Sequence, residues 1–162
     1  MPEVTAERFR RAAACYATGI AVVTTASGEI DHAMTANSFT SVSLDPLLAL
    51  VCVERDSRFH EAVLAADSWA VSFLPEGHSA TARWFATRGR PLEGQFDRVA
   101  THRAGNGCLL LTDGLAALEL RTEEVVRAGD HDILIGAVTR VHDPVEGVRP
   151  LVYFRSSFRG IT

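Results

Sequence analysis

The fold of this chain is indicated most clearly by the stretch Ala33-Met-Thr-Ala-Asn-Ser-Phe-Thr-Ser-Val-Ser-Leu-Asp-Pro46. Between Thr35 and Ser43 it carries five hydroxyl groups and one amide, and no charged residue appears before Asp45. Hydroxyl and amide groups among small apolar residues suit the binding of a polar, partly aromatic ligand, whereas a solvated connection would carry Gly, Pro and charges. The alternative is a half-buried strand that enters a turn at Asp45-Pro46, and this stretch alone leaves both interpretations open.

Length and composition indicate one globular domain spanning residues 1–162. The chain is 47% hydrophobic and 22% charged, which is enough to bury a core. Its apolar runs are far shorter than the roughly 20 residues of a membrane span, and its N-terminus lacks the apolar region of a signal peptide. We therefore expect a cytoplasmic protein.

The three cysteines are scattered, which argues against a disulfide framework or zinc site and favours buried or inert thiols.

The charged residues narrow the range of ligands. Net charge is −4 and the basic residues are dispersed, which argues against a nucleic-acid groove or an anionic membrane surface as partner. All 16 basic residues are Arg, so lysine Schiff-base and P-loop chemistry are excluded. Arginine is therefore the only permanently cationic side chain available to an anionic ligand.

Hydrophobic patterning predicts a mainly β domain with short helices. Closure of so many strands into an antiparallel barrel would remove their exposed edges, and an open α+β sheet is the alternative. The strand at 47–53 is expected to be fully buried, and the strand at 115–126 to turn Glu119 toward water. The predicted strands cover 20–25, 30–34, 47–53, 69–74, 108–111, 115–126, 133–141 and 151–154. The predicted helices cover 6–17, capped by Thr5 and ended by Gly19, a short segment beginning at Asp56 or Ser57, and 79–87.

Few residues point to catalysis on their own. The chain contains no nucleophile elbow, zincin, P-loop or dinucleotide-binding motif, and its six histidines lack metal-ligand spacing, so no metal site is expected. His131 lies in Gly-Asp-His-Asp between two strands, where it is either an exposed turn residue or a side chain over a barrel opening. The helix N-terminus after Ser57 is a potential anion site, and Arg58, Arg83 or Arg155 could meet a phosphate.

Eight short blocks follow one another in a fixed order across nearly the whole chain. They are Phe9-Arg10, Gly19-Ile-Ala-Val-Val-Thr-Thr25, Met34 to Pro46 of the opening stretch, Ser68-Trp-Ala-Val-Ser-Phe-Leu74, Trp84-Phe-Ala86, Gly129-Asp-His131, Ile135-Gly-Ala-Val138 and Pro150-Leu-Val-Tyr-Phe-Arg155. Together they resemble the flavin reductase-like family of FMN-binding split barrels. The order of the blocks, more than any single one, makes the resemblance specific.

The resemblance implies a fold, an activity and partners. It implies a homodimeric split barrel of six or seven strands, with flavin bound at the subunit interface. It also implies an NAD(P)H:flavin oxidoreductase that uses NADH or NADPH to reduce FMN or FAD. The reduced flavin would diffuse to a separate flavin-dependent monooxygenase. Such chemistry needs two stacked rings rather than a catalytic triad, which agrees with the missing motifs.

The same resemblance implies roles for particular residues. The flavin ring edge and ribityl chain would contact Asn37, Ser38, Phe39, Thr40 and Ser41, supported by Thr35 and Ala36. Cys52, Val53 and Glu54 would pass under the ring through their backbone, and Ser57 and Arg58 would take the phosphate. A further flavin-contacting segment would comprise Arg83, Trp84, Phe85 and Ala86. His131, Tyr153 and Arg155 would face the nicotinamide nucleotide, where His131 would bind the ring or support developing charge.

Two other functions remain to be weighed. The same barrel could hold FMN as a fixed group with little reductase activity. A related split-barrel enzyme could act on a corrin or a pyridoxine phosphate, which the Thr35-Ala-Asn-Ser-Phe39 and Gly129-Asp-His131 blocks disfavour. The chain also departs from the common family pattern, because Leu47 stands where a second proline is frequent and Ser156 stands where glycine is frequent.

Overall fold

The computed structural model describes residues 3–161 and shows a mainly β fold with three short helices in that range. The helices are α1 (Ala6–Ala13), α2 (Arg58–Ala66) and α3 (Ser79–Ala86). The strands are β1 (Thr18–Gly19), β2 (Ala21–Ser27), β3 (Ile30–Ala36), β4 (Thr40–Leu44), β5 (Leu47–Glu54), β6 (Ser68–Phe73), β7 (Thr101–Arg103), β8 (Leu109–Leu111), β9 (Ala117–Ala128), β10 (His131–His142), β11 (Val152–Phe154) and β12 (Ser157–Arg159).

One antiparallel sheet dominates the described chain. Its seven strands follow the order β3-β2-β6-β9-β10-β5-β4, while β1-β11-β12 and β7-β8 form two smaller antiparallel sheets. The backbone N–H of Cys52 in β5 donates to Ser38 Oγ, just beyond β3, at 2.9 Å. This bond extends the pairing of β4 with β5, in which Thr40 lies opposite Leu50. Because only residues 37–39 separate β3 from β4, which stand at opposite ends of the strand order, the sheet curls back on itself as a barrel. The predicted antiparallel β fold is confirmed.

Apolar residues cover both faces of the sheet. Val23 of β2 packs into a core with Trp69 and Leu134, onto which α2 adds Phe59 and Val63. The neighbouring Val22 packs into a second core, to which α3 adds Phe85. Successive residues of a strand point to opposite faces, so β2 supplies both cores with alternate side chains. The two helices are therefore held on opposite sides of the sheet.

Two sequence predictions about secondary structure were wrong. The first helix ends at Ala13 rather than near Ala17, because Thr18 and Gly19 instead pair as β1 with β11. The strand β5 is not fully buried, since its side chains alternate between buried and more exposed positions. Three short strands (β1, β7 and β12) also escaped the patterning, because so few residues carry too little alternation to be recognised.

Glu119 was predicted to face water and is instead buried, with 2% of its surface exposed. The loop between β7 and β8 covers it, and its carboxylate accepts bonds from the Asn106 backbone N–H at 2.7 Å and from His142 Nε2 at 2.9 Å. Burial raises the pKa of Glu119, but the hydrogen bonds from His142 and the loop backbone outweigh it, so the pKa is lowered overall.

The cysteines differ in their surroundings. Cys108 is buried, which raises its pKa to about 11 and leaves it an inert thiol, whereas Cys52 is partly buried and Cys15 is exposed. No helix within residues 3–161 combines the length and the apolar character that a bilayer-spanning segment needs.

Gly136 in β10 has no room for a side chain, because Trp69 occupies the space where a Cβ atom would stand. A Cβ atom there would stand 2.6 Å from Cζ2 of the fully buried Trp69. Overpacking of this kind costs about 1–3 kcal/mol, so we expect Gly136→Ala to lower the free energy of unfolding by that amount in urea titrations followed by circular dichroism.

Gly19→Ala is the matched control for this substitution. Apart from its two neighbours in sequence, no residue of the described chain lies within 4 Å of the position that the added Cβ would occupy, so the unfolding midpoint should stay close to that of the parent protein. Equal midpoints for Gly136→Ala and the parent would contradict the packing argument.

Candidate functional site

A pocket of about 550 Å³ opens at the seam where the sheet curls back on itself. The end of β3, the end of β5, the first turn of α2 and the segment after α3 form its walls. Its volume lies in the range of about 300–1,000 Å³ that is typical of small-molecule sites. The lining residues are His32, Ala33, Met34, Thr35, Ala36, Asn37, Ser38, Cys52, Glu54, Asp56, Ser57, Arg58, Phe59, Phe85, Ala86, Thr87, Arg88, Gly89, Arg90, Leu92 and His131.

The structure brings most of the predicted site residues together in this pocket. Of the predicted flavin-contacting residues, those that line it are Thr35, Ala36, Asn37, Ser38, Cys52, Glu54, Ser57, Arg58, Phe85 and Ala86. The predicted nicotinamide residue His131 lines it as well. Four separate segments of the sequence therefore converge where the blocks implied a ligand. The contacts of individual residues with that ligand remain predictions.

Other predicted flavin contacts lie outside this pocket. Phe39 and Thr40 line a second pocket of about 480 Å³, which shares Asn37 and Ser38 with the first. Ser41 is exposed on β4. The side chain of Val53 is buried in the core, which is compatible only with the backbone contact predicted for it.

Arg83, Tyr153 and Arg155 are likewise absent from the lining of the pocket. Arg83 on α3 lies over the ring of Phe158, with its guanidinium carbon 4.8 Å from the ring centre. Tyr153 packs on the same ring at 5.4 Å. The three residues therefore lie in or beside the small sheet β1-β11-β12, and sequence spacing did not reveal this separation.

Two hydroxyl groups of the opening stretch hold the walls of the pocket. Ser38 Oγ accepts from Cys52, as described, and Thr35 Oγ1 donates to the carbonyl of Ala82 in α3 at 2.6 Å. Phe39 packs edge-on against Phe73 with ring centres 4.9 Å apart. The stretch is thus a wall of the pocket and also includes strand β4, so both of its sequence interpretations describe part of it.

One end of the pocket is electropositive. Ser57 caps α2, where its Oγ accepts from the His60 N–H at 3.2 Å, and the helix dipole adds positive potential at this end. Arg58, Arg88 and Arg90 also line the pocket, and Arg88 pairs with Glu54. This combination suits a phosphate group.

Sequence reasoning missed His32, Arg88 and Arg90. The only available signal was the lack of Lys, which pointed to Arg in general and led to Arg58, Arg83 and Arg155. The segment 88–95 was identified as a loop without periodicity, and such a loop gives no indication of which side chains turn inward.

His131 stands at the mouth of the pocket. It pairs across the sheet with Glu54, its side chain is 42% exposed, and its Nδ1 lies 2.8 Å from the carboxylate of Asp130. This hydrogen bond lowers the pKa of Asp130. His131 is therefore both a partly exposed turn residue and a pocket residue, so its two sequence interpretations are compatible.

Comparisons with known proteins agree with this geometry. A model of the flavin reductase like domain matches residues 13–162. An NADH-dependent FMN reductase of Streptomyces nodosus subsp. asukaensis is 38% identical over 151 residues, which are 93% of this chain and 82% of that protein. The reductase component of 4-hydroxyphenylacetate 3-monooxygenase from Thermus thermophilus is 35% identical, covering 94% of this chain and 95% of its own.

Solved structures show the same relationship. The flavin reductase component of a bacterial two-component tryptophan halogenase superposes with a TM-score of 0.91 at 40% identity, covering 97% of this chain and 98% of the other. An NADH:FAD oxidoreductase of Streptomyces globisporus, in complex with NAD and FAD fragments, gives a TM-score of 0.90 at 32% identity, covering 99% and 98%. The chain belongs to the flavin reductase-like family, and the predicted family and split-barrel fold are confirmed.

The residues of the pocket fit a flavin nucleotide. Met34, Ala36, Phe85 and Leu92 supply apolar surface for a planar ring, while Asn37 and nearby backbone groups supply donors and acceptors. Arg58 and the start of α2 place positive charge at one end, as a phosphate requires.

His32 makes the stability of the folded protein depend on pH. Burial lowers its pKa from the ordinary value of 6.5, Arg58 lowers it further, and Asp31 opposes them. Because the unfolded chain then binds this proton more readily than the folded one, the free energy of unfolding should fall as pH drops below 6.5. We expect His32→Gln to remove this dependence.

The measurement is urea unfolding of both proteins between about pH 8 and about pH 5. The parent protein should lose more stability than His32→Gln across this interval. Parallel losses in the two proteins would show that His32 titrates at the same pH in the folded and unfolded chains.

Proposed function

We propose that this chain is the reductase component of a two-component system, which transfers hydride from NADH or NADPH to FMN or FAD. The observation that carries the proposal is a pocket that combines apolar side chains, an electropositive end and His131 at its mouth. Relatives named as NADH-dependent reductases of FMN and of FAD support both flavins. The proposal assigns the activity to one domain spanning residues 1–162 and to the cytoplasm, in keeping with a nicotinamide reductant.

The side chains of this pocket bind and orient rather than transfer protons. When bound, the flavin supplies the redox chemistry of the site. Arg58 and the first turn of α2 hold the phosphate, and Phe85 with Ala86 forms one wall beside the ring. In this proposal His131 contacts the nicotinamide nucleotide from the mouth of the pocket, and Tyr153 and Arg155 contact it from outside the lining, at the small sheet β1-β11-β12. The contribution of the protein is to bring two planar rings within reacting distance and to exclude misaligned complexes.

A separate oxygenase is the proposed recipient of the product. The halogenase and 4-hydroxyphenylacetate 3-monooxygenase reductases are named as components of systems with a second enzyme. A permanently bound FMN with little turnover is the competing function, and the names of the relatives favour the reductase.

The direct test is NADH oxidation by the purified protein. We expect loss of absorbance at the nicotinamide band that depends on added FMN or FAD. Absence of flavin-dependent turnover with both NADH and NADPH would overturn the proposal. Yellow flavin that co-purifies without turnover would instead support the flavin-holding alternative.

His131→Ala separates nucleotide binding from chemistry. Since we assign His131 to the nicotinamide nucleotide and not to an obligatory proton transfer, its removal should raise KM for NADH more than it lowers kcat. Steady-state kinetics with saturating FMN provide the measurement. A large drop in kcat at unchanged KM would contradict this role.

A homodimer with flavin at the subunit interface is part of the proposal. None of the eight described residues of α1 is buried, with Phe9 69% exposed, and Leu44 on the edge strand β4 is 85% exposed. Apolar residues on an edge strand and on an uncovered helix are typical of a surface that a second copy covers.

Leu44→Arg tests the dimer. Because it places a charge in the proposed interface, we expect it to shift the sedimentation of the protein from dimer toward monomer and to weaken FMN binding. Ile161→Arg, a comparable change at an exposed residue near the C-terminus, is the control. Monomeric parent protein would contradict the proposal outright.

A further inference from the structure

Arg90 joins three parts of the pocket wall. Its Nη1 donates to the carbonyls of Phe85 and Thr87 at 3.0 and 3.2 Å, at the C-terminal end of α3. Its Nη2 donates to the carbonyl of Ala33 in β3, and its Nε to Gln95 Oε1 at 3.2 Å. One guanidinium thus ties the segment that follows α3 to both the helix and the sheet.

Gln95 fixes the far end of the segment that follows α3 through two further hydrogen bonds. It is buried, its Nε2 donates to the carbonyl of Asp31 at 2.8 Å, and its own carbonyl accepts from Trp84 Nε1 at 2.7 Å. The loop 87–95 is therefore fastened to β3 at two points, Ala33 and Asp31. A loop without periodicity becomes a defined wall of the pocket.

Arg90 also positions the side chain of Arg58. Nη2 of Arg58 donates to the backbone carbonyl of Arg90 at 2.6 Å. Arg58 is an exposed, flexible side chain on the first turn of α2, and this bond selects the orientation that reaches across the pocket. The place of the Arg90 carbonyl is set in turn by the four bonds of its guanidinium.

Arg90 itself is poorly suited to bind a ligand. All three of its guanidinium nitrogens are engaged with protein acceptors, and its side chain packs on Phe85 with the guanidinium carbon 5.3 Å from the ring centre. Burial and the nearby Arg58 lower its pKa, yet a guanidinium remains protonated. Its hydrogen bonds hold the wall of the pocket.

We propose that Arg90 is a positioning residue that orients Arg58 and the loop 87–95, so that the pocket favours flavins with a phosphate over riboflavin. This inference rests on the proposed function, because it assumes that the pocket binds flavin. It goes beyond that function by assigning the preference for FMN over riboflavin to a residue that does not contact the phosphate.

The experiment is a double-mutant cycle read with two flavins. KM for FMN and for riboflavin would be measured in the parent protein, Arg90→Gln, Arg58→Gln and the double variant, with Arg98→Gln as an exposed arginine control nearby. We expect Arg90→Gln to raise KM for FMN about tenfold and KM for riboflavin by about twofold or less. The double variant should match Arg58→Gln alone, because Arg90 acts through Arg58.

Equal increases in KM for both flavins, or additive effects in the double variant, would overturn the proposal. If Arg90→Gln melts far below the parent protein, Arg90→Lys serves in its place, since it keeps the charge but cannot bridge the same acceptors. Fluorescence titration measures the affinity for FMN and for riboflavin, so it tests the role of Arg90 even if NADH is not oxidised. Failure of turnover would then refute the proposed function, whereas equal affinities of the parent protein for the two flavins would refute the role of Arg90.

Discussion

The three-residue connection between β3 and β4 is the constraint on which the arrangement of this protein depends. It joins the two strands at opposite ends of the seven-stranded order, and the hydrogen bond between Ser38 and Cys52 holds it against β5. The curled sheet leaves a seam, and the pocket opens along that seam. A change that separates the two segments would therefore disturb the barrel and the site together.

Much of the fold was predictable because it rests on local patterns. The apolar runs of β2, β5 and β6 and the Ser57 cap of α2 lie within a few residues of where the patterns predicted them. Glu119 was misplaced because the groups that cover its carboxylate lie outside its own strand, in the loop between β7 and β8 and in β10. Burial by groups outside a strand leaves no trace in the alternation of that strand.

The candidate site was predictable in part, and by resemblance more than by physical pattern. The blocks around Asn37 and Arg58 converge in one pocket, whereas Tyr153 and Arg155 lie apart from its lining. The hydrogen bonds of Arg90 could not be found from the sequence, since most of its acceptors are backbone carbonyl groups, in β3 and at the end of α3. Backbone acceptors are present at every residue, so nothing in the sequence marks the ones that a guanidinium will reach.

The location of the pocket at the seam has a consequence for how such a protein can diversify. Its walls are contributed mostly by strand ends, a helix start and a loop, while the interiors of β2, β6 and β9 carry the two cores. Ala33, Ala36, Phe59 and Phe85 line the pocket and also belong to the cores, whereas the other lining residues are not part of these buried clusters. Substitutions that alter ligand preference at those other positions leave the cores intact. The same scaffold can accept new nucleotides over evolutionary time with little loss of thermodynamic stability.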